Sequence, residues 1–136
     1  DFLHKQYGLG LISFGPPLVA IFLLADVGSI GGGWMSSRLV KRGWRVDHAR
    51  KATMLLCALA ALGIVFAARA DELWLAVALI GLGTAAHQGW SANLFTIVAD
   101  TQPREAVATV VGFGGAAGAV GGMLMAQFAG RVLDAS

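Results

Sequence analysis

The chain has 136 residues, of which 57% are hydrophobic and 13% charged, with a formal net charge of +2 and a mean hydropathy of +0.70. Soluble domains carry about 25% charged residues, and a soluble chain this short cannot hide so much apolar surface in one core. An ordinary soluble domain is therefore excluded, and lipid supplies the missing burial. The single cysteine, Cys57, excludes an internal disulfide framework and reads as a small apolar packing residue.

In chain order, residues 1–12 read as an exposed connector. The first helix is expected over 13–37, with Pro16 and Pro17 in its first turn, where a missing N–H costs little. Asp26 sits in the middle of the apolar run from Gly15 to Ser36. A carboxylate there survives only where it faces protein, water or a substrate path. Two readings stand: a structural carboxylate holding the first helix against a neighbour, or a proton-binding or substrate-path group. Further helices are expected over 52–68, 73–99 and 107–129, each near the ~20 residues that cross ~30 Å of hydrocarbon. The second is the shortest and is expected to extend into its flanks. The fold class is thus all-α, a polytopic bundle of four membrane helices.

The connectors set orientation. Arg38, Lys41, Arg42, Arg45, Arg50 and Lys51 face a single acid, Asp47, between the first two helices, whereas only Arg69, Asp71 and Glu72 separate the second from the third. The positive-inside bias places loops 38–51 and 100–106 in the cytoplasm and both chain ends outside. The short turn at Arg69 to Glu72 makes the second and third helices antiparallel neighbours. At the next turn, Pro103 and Glu105 look like a helix start, with the acid at the positive end of the dipole. The abrupt edges and the missing initiator Met lead us to expect a piece of a longer chain.

Small residues recur every fourth position: Gly28 and Gly32; Gly81, Ala85 and Gly89; Gly114, Gly118 and Gly122. Such stripes let membrane helices approach closely; they fit static packing and also helices that slide in a transport cycle. The third helix holds the densest polar cluster: Thr84, His87, Gln88, Ser91, Asn93 and Thr96. With Trp90 nearby, it offers amides and hydroxyls for the OH groups of a sugar and an aromatic face for its ring. The alternative is a set of packed, hydrogen-bonded helix residues. No nucleophile elbow, metal-spaced ligand set or phosphate loop is present, so no enzyme and no cofactor is expected. The basic connector is explained by topology rather than by nucleic acid, and contact with anionic headgroups is a further possibility for it.

Gly33, Arg38, Lys41 and Arg42 resemble the second copy of the loop motif of the major facilitator superfamily: glycine, three residues, Asp-Arg, two residues, two basic residues. Ser37 stands where the motif has Asp, which weakens the gating charge pair, and Val40 stands where it often has glycine. The strings from Phe14 to Leu18, Ala25 to Trp34, Ala86 to Thr96 and Val111 to Gly115 resemble the anion:cation symporter family within it, and most of all bacterial hexuronate transporters. The resemblance implies helices eight to eleven of a twelve-helix transporter, part of the C-terminal six-helix half, in the inner membrane. It implies proton-driven uptake of galacturonate, glucuronate or a related sugar acid. The partners implied are the sugar acid, protons, the bilayer and the N-terminal half, which carries the main carboxylate-binding arginine and proton-coupling acids. Onto this chain it carries the sugar-hydroxyl side of the pocket: chiefly Asn93, then His87, Gln88 and Ser91, with Phe95 as a ring contact and Gly115 leaving room for substrate. Rival readings are a four-helix packing or assembly module without a substrate, and a transporter of another organic anion, a drug or a neutral sugar.

Overall fold

The computed structural model describes residues 15–134. They form α1 (Gly15–Lys41), α2 (Val46–Ala61) continued by 3-10 turns over Leu62–Arg69, α3 (Leu73–Thr101) and α4 (Arg104–Asp134). The expected all-α class is the one found. The connector over 1–12 and the helix start near Ser13 lie outside the described residues. Three helical stretches are long and apolar enough to cross a membrane: Gly15–Lys41, Val46–Arg69 and Arg104–Arg131. With 29 residues, α3 matches them in length, but His87, Gln88 and their polar neighbours lower its hydropathy.

Two helices run longer than their apolar cores. Helix α1 continues through Arg38 to Lys41 because its stop is a glycine turn, not the first charge. Gly43, at φ 91°, lets its own N–H reach the Val40 carbonyl (2.9 Å) and the Trp44 N–H reach the Leu39 carbonyl (3.2 Å). This pairing satisfies carbonyls that a helix end leaves open, and Arg38 and Lys41 complement the negative end of the dipole. Helix α2 starts six residues before its apolar core, after the extended Arg45 (φ −62°, ψ 141°), with Asp47 in the first turn. That extra turn and a half seats Ala49, at 0% exposure, against the neighbouring helix surfaces. Beyond Ala61 the winding tightens. At ~1.5 Å per α residue and ~2.0 Å per 3-10 residue, Val46–Arg69 reaches roughly 40 Å, more than enough to span.

The chain divides into two compact units, Asp1–Leu94 and Phe95–Ser136. In the first unit, α1 and α3 run parallel in a fixed register. A Cβ on Gly81 would strike Leu24, a Cβ on Gly28 would strike the Ala85 backbone, and a Cβ on Gly32 would lie 2.5 Å from the Gly89 Cα. The backbones touch because these positions have no side chains. Helix α2 closes the third side, antiparallel to α3: the Cys57 Sγ would lie 3.1 Å from a Cβ on Gly89, and the Ile64 Cδ1 2.9 Å from one on Gly83. The core of this unit is correspondingly small-residued, with Ala25, Ala49, Ala67, Ala76, Val77 and Ala86 among its buried members. Large apolar side chains point outward instead, such as Phe22, Val27 and Ile30 on α1, an arrangement that suits a hydrocarbon surround.

The second unit carries the end of α3 and the 31-residue α4. Helix α4 starts at Arg104, with the Val107 N–H bonded to the Pro103 carbonyl (3.2 Å) and Glu105 in the first turn. None of its described side chains is buried.

Candidate functional site

Helix α3 presents two opposite polar faces. With ~100° between successive residues, Ser91 lies roughly 160° around the helix from Asn93, and Gln88 about 140° on the other side. The structure accordingly separates them. His87 and Gln88 are exposed and Ser91 half-buried on one side, while Asn93 is fully buried on the other. Thr84, on the exposed side, spends its hydroxyl within its own helix, donating to the Ile80 and Gly81 carbonyls (3.1 and 2.9 Å).

Asn93 sits one turn beyond the Gly32–Gly89 contact. Its Nδ2 donates to the Gly32 carbonyl on α1 (3.0 Å) and to the Gly89 carbonyl on its own helix (2.9 Å). The amide thus ties α1 to α3 beside the close Gly32–Gly89 contact. Its Oδ1 is buried and has no hydrogen-bond partner. A buried acceptor left open costs about 1–3 kcal/mol, so this atom is the one part of the amide still able to take a donor.

The same register step pairs Asn93 with Ser36, and together with Thr53 these are the fully buried polar side chains among the described residues. The Ser36 hydroxyl donates to the Gly33 carbonyl (3.1 Å) and accepts from the Arg50 guanidinium (2.6 Å). Thr53 donates to the Ala49 carbonyl (2.9 Å). Sequence reasoning missed Ser36, Arg50 and Thr53. The available signal was position: Ser36 follows Gly28 and Gly32 at the same four-residue step, and Ala49, Thr53 and Cys57 repeat it on α2.

Around the exposed side of α3, Cys57, Ala58 and Ala61 of α2 and Ala86, His87 and Trp90 of α3 line an open cavity of about 360 Å³. Its wall is apolar apart from the imidazole and the indole. Asp26 is exposed on α1, two residues from Gly28 and so roughly opposite the α3 contact; the structure does not bring it to the His87 face. In the loop motif, Gly33 is half-buried, Arg42 is exposed, and Arg38 stacks over the Trp34 ring with 4.9 Å to the centroid. Phe95 and Gly115 fall in the second unit: Phe95 is 49% exposed, and a Cβ on Gly115 would meet nothing within 4 Å. Among the described residues no group of three or more His, Cys, Asp and Glu could hold a metal ion.

Long apolar helices, a glycine-faced crossing and polar groups confined to helix faces define a polytopic membrane protein. Residues 2–126 match the family model of the Major Facilitator Superfamily. The chain belongs to that superfamily, a group of transporters and not of enzymes. No curated protein and no solved structure matches it.

Proposed function

We propose that the chain serves secondary active transport of a sugar acid, a hexuronate such as galacturonate or glucuronate, by proton symport. The observation that carries this reading is the polar face of α3. His87 and Gln88 stand exposed, with Ser91 half-buried beside them, on a helix whose other surroundings are apolar. Unsatisfied donors and acceptors are expensive in hydrocarbon, so such a face belongs on a water-filled or substrate-filled path. The imidazole, amide and hydroxyl supply the donors and acceptors that a ring of hydroxyls requires, and Trp90, in the adjoining cavity, offers a flat surface for the ring.

Asn93 reaches a sugar hydroxyl only through Oδ1, since both of its amide hydrogens hold helix carbonyls, and only where α1 and α3 part, because the residue is fully buried on the side of α3 opposite His87. Asp26, exposed on α1 away from the α3 contact, is proposed as a proton-binding group. The resemblance of the strings Ala25 to Trp34 and Ala86 to Thr96 to hexuronate transporters supports the choice of substrate. It also supports pairing with an N-terminal half that holds the substrate carboxylate, in an inner membrane with loops 38–51 and 100–106 on the cytoplasmic side. In such transporters two halves rock about a midplane site.

The test is the full-length transporter in liposomes under an inward proton gradient. Labelled galacturonate accumulates above the level in empty vesicles, and Asp26→Asn uncouples accumulation from the gradient. Uptake no faster than in empty vesicles, with an active control transporter alongside, ends the proposal. A second reading, transport of another organic anion, is favoured by the same face; unlabelled carboxylates lacking hydroxyls would then compete with galacturonate as well as glucuronate does.

A further inference from the structure

At the loop end of α1, Trp34, Ser37, Arg38 and Lys41 line a cavity of about 280 Å³. The four residues are spaced i, i+3, i+4 and i+7, so they form one helical face. All four are exposed. The Arg38 guanidinium is already placed, stacked 4.9 Å from the Trp34 ring centroid. No carboxylate lines the cavity. Asp47, the one acid of the following connector, is engaged by Arg45 (3.4 Å) and His48 (3.5 Å) instead. The last carbonyls of α1, which would repel an anion, are closed by the Gly43 and Trp44 amides.

The cup lies where a bilayer changes from oil to water. From Gly15 to Trp34 the helix rises about 28 Å, close to the ~30 Å of a hydrocarbon core. The same face continues toward the middle of the helix as exposed Leu23 (59%), Val27 (65%) and Ile30 (74%). An apolar strip therefore runs into an indole, and the indole into a hydroxyl and two cations. Tryptophan belongs at the headgroup level, and basic residues there attract anionic lipid. The order along the helix matches the order along a lipid: acyl chain, glycerol ester, phosphate.

We propose that this face of α1 is a binding site for an anionic glycerophospholipid. The phosphate sits between Arg38 and Lys41, takes the Ser37 hydroxyl as a further donor, and sends its acyl chain along Ile30 and Val27. The ligand is a lipid phosphate and not a free one, because the cup is continuous with the apolar strip and holds only two cations on an open surface. The site is independent of which substrate is carried.

The experiment uses the full chain reconstituted in phosphatidylcholine bilayers, with brominated phosphatidylglycerol or brominated phosphatidylcholine as the quencher of tryptophan fluorescence. Trp34→Phe identifies the part of the signal that belongs to the cup. Phosphatidylglycerol is expected to quench Trp34 at lower mole fraction than phosphatidylcholine. At about fivefold in affinity per interfacial cation, the double variant Arg38→Gln with Lys41→Gln removes a preference of roughly 25-fold. The control Arg69→Gln, at the opposite end of the α2 segment, leaves it intact. Both substituted side chains are exposed, so the helix itself is not at risk, and Arg38→Lys is expected to retain most of the preference. Equal quenching by the two lipids in the wild-type chain overturns the proposal, as it would if a protein helix covered the cup. A preference that survives the double variant overturns the assignment to these residues. Inorganic phosphate that displaces phosphatidylglycerol at constant ionic strength overturns the lipid as the ligand.

Discussion

Glycines recur every fourth residue in both units, at Gly28 and Gly32 on α1 and at Gly114, Gly118 and Gly122 on α4, yet their surroundings differ. In the first unit a Cβ at Gly28 or Gly32 would run into the backbone of Ala85 or Gly89. In the second, a Cβ at any of the three would meet nothing within 4 Å. A stripe of small residues permits a close helix approach but does not by itself supply the surface that fills it. What accompanies the occupied stripe is a polar clasp. Asn93 bonds the Gly32 carbonyl beside the Gly32–Gly89 rung, and Ser36 and Arg50 bond each other one turn on. Within the expected span 107–129, α4 has only Thr109 and Gln127 as polar companions to its stripe.

The largest effect expected from this contrast is at Gly32. A leucine there would set its Cβ 2.5 Å from the Gly89 Cα, a backbone atom that cannot rotate away. Overpacking a well-filled contact costs about 1–3 kcal/mol and more where backbone must move, so Gly32→Leu is expected to lose about 3 kcal/mol or more. Unfolding of the chain in mixed micelles, followed by helicity, measures it. A loss below about 1 kcal/mol would show that the α1–α3 crossing yields easily, and the distinction between the two stripes would fail.

Next in size is the clasp. Asn93→Leu removes one inter-helix hydrogen bond, worth about 0.6 kcal/mol on average and at most about 1.7 in membrane proteins. A stability loss of about 1 kcal/mol is expected. His87→Ala, on the exposed face, is expected to leave the same unfolding curve in place and to lower galacturonate uptake. Asn93→Ala is expected to weaken substrate binding more than Cys57→Ala does. Uptake that follows stability across these variants, with His87→Ala fully active, would assign the polar face to packing and remove it from the substrate path.

Much of this arrangement was legible in the residues. The apolar runs, the basic connector and the four-residue turn at Arg69 to Glu72 lead directly to the helices and to the antiparallel pairing of the α2 segment with α3. Helix ends were less legible, because polar residues can be helical. Val46 to Lys51 reads as connector by charge, yet it buries Ala49, and Arg38 to Lys41 reads as loop, yet Gly43 is the residue that stops α1. The polar cluster on α3 reads as one group by composition, whereas its spacing splits it: Trp90 lies three residues from Asn93, but Ser91 lies two away, and a difference of two residues reverses the direction of a side chain on a helix. Which direction faced protein depended on where α1 would lie, and only the Gly28–Ala85 and Gly32–Gly89 register decides that.

The smallest effect, and the sharpest test of the contrast, is at Gly118. Nothing surrounds a Cβ there, so Gly118→Ala creates no clash. Glycine in a helix interior is about 1 kcal/mol less favourable than alanine, and the substitution is expected to leave stability unchanged or raise it by up to that amount. The matching change at the other stripe, Gly28→Ala, is expected to destabilise, since the same methyl would meet the Ala85 backbone. The two variants add an identical group at an identical helical spacing, so propensity cancels between them and only the surroundings remain. A Gly118→Ala loss equal to that of Gly28→Ala would mean that α4 is closed by a surface as tight as the one on α1, and the spacing alone would then be enough to locate a helix contact in this chain.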